Sequence, residues 1–193
     1  MKLESVTDIQ MGYSFRSRLE PEDDGDVAVI QMKDLLDDNT VSCENAIRVY
    51  MDSIKETHLV QKGDLVFRSR GNVSTTAILN EDPGRAIVAA PLIRIRVTKK
   101  DKVLPEYLNW YISQRAAQRY LTSRARGTSQ IMISVDAVGE MDVEIPSLDR
   151  QKKIVELAWL MNRERDLVHK LVEKKEQYIS SILTQHAKGE SKS

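Results

Sequence analysis

LDRQKKIVELAWLMNRERDLVHKLVEKKEQYISSILTQH, Leu148 to His186, contains neither Gly nor Pro, and its reading decides the architecture. Leu, Lys, Glu, Arg and Gln dominate it, all strong helix formers. Apolar residues fall at Ile154, Leu157, Met161, Val168, Leu171, Tyr178 and Ile182, in alternating steps of three and four. Glu164 and Lys175 occupy the two missing positions. This register is a heptad seam of about five repeats, the pattern of a coiled coil. Leu160, Leu167, Ile179 and Leu183 widen the stripe beyond a bare two-stranded seam. At 1.5 Å per residue such a helix reaches roughly 55 Å, more than one small domain covers. An amphipathic helix folded back on its own domain would show the same stripe. Its length and its apolar Tyr178–Ile182 end favour self-association, with the seven seam residues as the dimerisation contacts.

The residues before it follow another pattern. Val27-Ala28-Val29-Ile30-Gln31 is a short apolar run after the acidic turn Asp23-Asp24-Gly25-Asp26, and Leu65-Val66-Phe67 follows Gly63-Asp64. Thr76 to Leu79 and Ala86 to Ala89 flank Asn80-Glu81-Asp82-Pro83-Gly84, which predicts a hairpin. From Leu92 to Thr98 the alternation is clean, with Ile93, Ile95 and Val97 on one side and Arg94 and Arg96 on the other. Period two of this kind predicts a strand with one buried face. A helix opens at Pro105, where a missing N–H costs least. Leu108, Tyr111, Ile112 and Ala116 are expected on its inner side, Arg115 and Arg119 outside. A short helical turn near Ser134 and a last strand, Met141 to Ile145, complete the domain. The fold class is α+β: a mixed, small-sheet globular domain over residues 1–148, a coiled-coil-type helix over 149–188, and a disordered tail at 189–193.

Composition narrows the function. The chain has 193 residues, 41% apolar and 30% charged, enough for one sizeable domain with an appendage. No apolar run approaches a membrane helix, and the acidic start Met1-Lys2-Leu3-Glu4-Ser5 is unlike a signal peptide. Cytoplasmic location and no membrane partner are expected. The single Cys43 excludes an internal disulfide, and His58, His169 and His186 lack metal-ligand spacing. No Gly-rich phosphate loop, Gly-Lys-Ser/Thr motif or nucleophile–base pair is present, so no catalytic, cofactor or metal residues are expected. The 29 basic and 29 acidic side chains cancel but are unevenly placed: residues 1–60 carry 6 basic against 13 acidic, and residues 61–130 carry 13 against 5. A basic segment inside a neutral protein is what a one-sided phosphate-binding surface leaves in a sequence. Pairing of the two segments in the fold would leave the same imprint.

Three loops have the residue types that meet nucleic acid. Arg68-Ser69-Arg70-Gly71-Asn72 leaves a strand; Arg124-Ala125-Arg126-Gly127-Thr128-Ser129-Gln130 follows the helix; Gly12-Tyr13-Ser14-Phe15-Arg16 carries two aromatic rings. The candidate contacts are Tyr13, Arg16, Arg68, Ser69, Arg70, Asn72, Arg124, Arg126, Thr128, Ser129 and Gln130. Core packing is the favoured reading for Tyr13 and Phe15, since large aromatic side chains are usually buried. Arg94 and Arg96 fit either a phosphate-facing stripe or gatekeeper charges on an exposed strand.

Six segments in order resemble the specificity subunits of type I restriction–modification systems. Ile9-Gln10-Met11-Gly12-Tyr13-Ser14-Phe15 is similar to an opening I-x-x-G-x-x-F turn, and Val29-Ile30-Gln31-Met32-Lys33-Asp34 to the first core strand and its exit. Gly63-Asp64-Leu65-Val66-Phe67-Arg68-Ser69-Arg70-Gly71 resembles the GD segment, and Leu104-Pro105-Glu106-Tyr107-Leu108 the LPEYL helix start. Gly127 to Ser134 looks like the stretch after that helix. Ile145-Pro146-Ser147-Leu148-Asp149-Arg150-Gln151-Lys152-Lys153-Ile154 is similar to the lead into the spacer helix, with Ser147 where the family has Pro. The resemblance implies a target recognition domain and a spacer helix, binding to double-stranded DNA, and no catalysis by this chain. It further implies a methyltransferase subunit bringing S-adenosylmethionine and a restriction/translocase subunit bringing ATP and Mg²⁺. Family members carry two such domains and two helices; one of each here implies a half subunit that homodimerises on a bipartite inverted target. The other reading is a stand-alone interaction module that binds a methyltransferase or another specificity subunit without touching DNA.

Overall fold

The computed structural model describes residues 1–71, 75–125 and 132–187. Two compact units result, Met1–Val155 and the remainder from Glu156. The first holds two small sheets. Strands β1 (Thr7–Met11), β4 (Leu65–Arg68), β5 (Thr76–Ile78) and β7 (Leu92–Val97) make one, in the order β1-β7-β4-β5. Strands β2 (Val27–Ile30), β3 (Ile47–Val49) and β6 (Ala86–Val88) make the other, in the order β3-β2-β6.

The four-stranded sheet is covered on both faces. Leu65, Phe67, Ile93, Ile95 and Val97 meet the helices α1 (Pro105–Ile112), α2 (Arg115–Arg124) and α3 (Val135–Gly139) through Tyr107, Leu108, Ile112, Leu121 and Val138. Val66, Ala77 and Leu92, on the other face, join Ala28, Ile30, Ala86 and Val88 of the smaller sheet. Val27, Val29 and Ile87 then bury the outer face of that sheet against the segments around Tyr13 and Leu59. The unbroken apolar run of β2 is thereby explained: it is buried on both faces.

Four sequence expectations are corrected. The hairpin does not form. β5 pairs antiparallel with β4, whereas β6 pairs parallel with β2 in the other sheet. β6 is apolar on both faces, and lying beside β2 buries both. The helix opening at Pro105 is two helices. Gln114 Nε2 and Ser113 Oγ donate to the Trp110 carbonyl at 2.8 and 2.6 Å, and Gln118 Nε2 donates to that of Ile112 at 2.6 Å. These side chains satisfy the last carbonyls of α1 and end it there. The break turns α2, so that Ala117 and Leu121 are buried and Ala116 is exposed. Met141–Ile145 makes only a bridge between Asp142 and Lys2, because its neighbour leaves the extended form for a 3₁₀ turn at Leu3–Ser5. Strand β7 has no solvent face, as Arg94 is itself buried. The short helix after Ser134 forms as expected, with the Ser134 hydroxyl accepting from the Ala137 N–H at 3.2 Å.

Helix α4 (Leu148–Ala187) is 40 residues long. Its first two turns belong to the domain: Ile154 and Val155 pack on the core, and Gln151 is fully buried. Ile154, expected in the seam, is therefore half-covered within its own domain. The expected tail at 189–193 lies outside the described residues.

Tyr107 carries a testable consequence. Its phenol donates to the Glu144 carbonyl at 2.6 Å, and burial pushes its pKa up to about 12. An acid with a raised folded-state pKa stabilises the fold below its unfolded pKa of about 10 and loses that contribution as pH climbs toward 12. Tyr107→Phe is expected to cost about 1 kcal/mol at neutral pH and to flatten the fall in stability between pH 10 and 12, read by urea unfolding.

Candidate nucleic-acid interface

The fold sorts the basic segment into cations it consumes and cations it leaves free. Arg94 donates to Asp8 at 2.6 Å and to Gln10 at 3.0 Å. Arg96 forms a two-point bond with Asp64, Nε to Oδ1 at 2.8 Å and Nη2 to Oδ2 at 2.6 Å, and this carboxylate pushes the guanidinium pKa up. Arg85 pairs with Asp26. Arg94 and Arg96 thus form cross-strand ion pairs within the larger sheet, neither a phosphate stripe nor surface gatekeepers. Part of the charge complementarity between the two chain segments is internal.

Two of the three loops, those at Gly12–Arg16 and Arg68–Gly71, meet at a turn the sequence did not single out, Ala89-Ala90-Pro91-Leu92, whose Ala90–Pro91 peptide is cis. On one side Tyr13 N–H donates to Val88 at 2.7 Å and Ala90 N–H donates to Tyr13 at 2.9 Å. Gly12 is required there, because a Cβ would stand 2.7 Å from the Ala89 carbonyl carbon. On the other side the Ser69 hydroxyl donates to the Pro91 carbonyl. Ile133 N–H donates to the Ser69 carbonyl at 2.8 Å, and Arg70 bridges Met132. Met132 and Ile133 are thereby held against the 68–71 loop.

The candidates divide by exposure. Arg16, Arg70 and Arg124 are exposed, Arg124 also lying 5.4 Å over the Tyr120 ring. Arg68 is half-buried and donates to the Met32 carbonyl at 3.2 Å, with its buried Nε unpartnered. Ser69 is buried and spent on Pro91, so it anchors the loop and is withdrawn as a base contact. Tyr13 is half-buried against Phe15 and His58, ring centroids 4.9 and 5.5 Å away, which answers the core alternative for both aromatic rings. Asn72, Arg126, Thr128, Ser129 and Gln130 lie outside the described residues. Arg18 and Lys33 were missed; with Phe15, Gln31 and Pro91 they line a cavity of about 550 Å³ beside the turn. Only tertiary structure reveals them, since neither sits in a distinctive motif. Exposed guanidiniums on loops suit phosphate oxygens and guanine edges equally.

Other features carry less chemistry. Burial raises the Cys43 thiol pKa, helped by the Asp34 and Glu81 carboxylates, so it stays a poor nucleophile. Among the described residues no group of three His, Cys, Asp or Glu side chains is placed to hold a metal. No helix among them is long and apolar enough to cross a membrane. In the second unit Leu157, Met161, Val168, Leu171 and Tyr178 are all exposed, Leu171 at 68%, and Ile182 is half-exposed.

Residues 1–158 match the model of the type I restriction modification DNA specificity domain. The chain belongs to that family. Three solved structures share the fold of this specificity domain. The HsdS subunit from Thermoanaerobacter tengcongensis is 19% identical with a TM-score of 0.61, over 84% of this chain and 36% of that one. A chain from a study of complex assembly and conformational transition of the type I R-M system is 16% identical with a TM-score of 0.71, over 94% and 42%. The S subunit from M. genitalium is 10% identical with a TM-score of 0.59, over 96% and 44%. The specificity domain described here thus spans about two-fifths of the length of these chains. None of the curated proteins matches it.

Proposed function

We propose that this specificity-domain chain reads DNA for a type I restriction–modification assembly, with two copies paired through α4 so that each supplies one recognition domain to a bipartite, inverted target. The observation that carries this reading is the second unit's apolar stripe, exposed from Leu157 to Tyr178, in a chain whose loops also carry the exposed arginines Arg16, Arg70 and Arg124. An isologous pair places equivalent recognition surfaces about a twofold axis, which calls for inverted half-sites at a fixed gap. Methyltransferase and restriction/translocase subunits are the proposed partners, bringing S-adenosylmethionine, ATP and Mg²⁺; this chain catalyses nothing itself. Sedimentation is expected to give a species of about 44 kDa, twice the 22.0 kDa chain. Leu171→Glu, which puts a charge in the seam, is expected to give a folded monomer with dimer affinity weakened at least ~100-fold. A variant that sediments as a dimer removes this helix face as the interface.

One observation favours the second reading, an interaction module without DNA. Trp159 is 61% exposed and lies about 160° round the helix from Leu157, off the seam, where an aromatic anchor suits a different protein partner. Steeply salt-dependent binding to duplex DNA separates the two readings in favour of the first.

A further inference from the structure

Helix α2 has the sequence RAAQRYLTSR, with three arginines and no acidic residue. Ala117 and Leu121 are buried, and Arg115, Arg119 and Thr122 share the opposite, exposed face. At 100° per residue these three fall within about 60° of one another, and Arg115 and Arg119 are spaced roughly 6 Å along the axis. With Gln118 and Ser123 they line one surface depression of about 460 Å³. Where Arg85, Arg94 and Arg96 are each held by an aspartate, neither Arg115 nor Arg119 has an ion-pair partner among the described residues.

Local energetics argue against a structural purpose. Arg115 occupies the first position of α2, where the positive end of the helix dipole disfavours a cation. Arg119 repeats the like charge one turn on, an i,i+4 pair that also opposes helix formation. Two small costs with no internal compensation mark a face kept for a partner. Its chemistry is two guanidinium forks and a hydroxyl on a rigid rod, without aromatic or carboxylate, which complements a run of phosphates rather than a base edge.

We propose that Arg115, Arg119 and Thr122 form a phosphate clamp for the backbone of duplex DNA, separate from the loops that meet bases. This rests on the DNA-reading function proposed above. The test uses the full chain and a random-sequence duplex, with affinity followed by fluorescence anisotropy between about 50 and 200 mM salt. Arg115→Ala/Arg119→Ala is expected to reduce the slope of log affinity against log salt by about 2, near 0.9 per lost contact, and to weaken every sequence alike. Arg115→Lys/Arg119→Lys is expected to restore the slope. The unfolding midpoint of the alanine variant is expected to be unchanged or slightly higher, because an adverse dipole interaction is gone. An unchanged slope, while the wild type binds DNA, overturns the clamp and leaves the DNA reading standing. A lowered midpoint with an unchanged slope overturns it by making the arginines structural. Polyglutamate binding that falls in the variant while the DNA slope holds assigns the face to an acidic protein, and this too overturns the clamp. A wild-type chain that binds no duplex at any salt sinks both proposals together.

Discussion

Asp64→Ala is expected to lower the stability of the 1–155 domain by about 3–5 kcal/mol. Asp64 is 1% exposed, and its carboxylate takes both arms of the Arg96 fork and the Gln61 N–H at 2.9 Å. It joins the turn before β4 to β7, two strands that are neighbours in the large sheet. Deleting it leaves a partly covered guanidinium without its counter-ion and a backbone N–H without its acceptor, the costly way to break a buried pair. A domain of this size has about 5–15 kcal/mol in total, so the loss reaches a large fraction of it. Urea unfolding is expected to show a midpoint lower by more than about 1 M at unchanged slope. Asp64→Asn keeps the volume but turns an amide N–H₂ toward other donors, and it is expected to fall between the two. A midpoint within experimental error of the wild type would show that the pair does not hold β4 to β7.

The second large effect is expected at Gln151, in the first turn of α4. Its side chain is fully buried and makes three bonds: Oε1 accepts from the Leu104 N–H at 2.9 Å, while Nε2 donates to the carbonyls of Lys102 and Pro146, both at 2.7 Å. One amide therefore closes the N-terminus of α1, the loop before it and the lead into α4. Gln151→Ala is expected to cost about 3 kcal/mol, from lost bonds, unpaired backbone groups and a small void. Gln151→Glu separates the contributions. It keeps the acceptor for Leu104 but faces two carbonyls with a carboxylate, so it is expected to be no better than alanine. Equal stability of wild type and Gln151→Leu would mean that only volume matters there.

These two residues show how motif and fold connect. Gly63-Asp64 and the glutamine before Ile154 were legible as family-like segments, yet the sequence carried no sign of what they bond. Asp64 and Arg96 are 32 residues apart, and Gln151 and Leu104 are 47 apart. No local period reports such a pairing. The same holds for the hairpin that does not form. The turn residues at Asn80–Gly84 were legible, but β6 beside β2 has Ala86 and Val88 in one apolar layer and Ile87 in the other, and burial of both faces outweighed the hairpin. In α1 and α2 the apolar period was correct until Gln114 and Ser113 capped the first helix, after which the inner face was set by Ala117 and Leu121.

Residue type and period by themselves determined the α+β class, the positions of most strands, and a long helix with an apolar stripe, because these follow from interactions within a few residues of each other. They also located the basic segment and the loops that carry Arg70 and Arg124. Tertiary structure alone decided which arginines remain free. A cation becomes available to phosphate only if no carboxylate is fixed within reach, and the placement of Asp8, Asp26 and Asp64 beside Arg94, Arg85 and Arg96 is set by strand pairing and packing across the whole domain. Bringing the loops at Gly12–Arg16 and Arg68–Gly71 to the Ala89–Leu92 turn is likewise a product of long-range bonds, which no stretch of sequence contains.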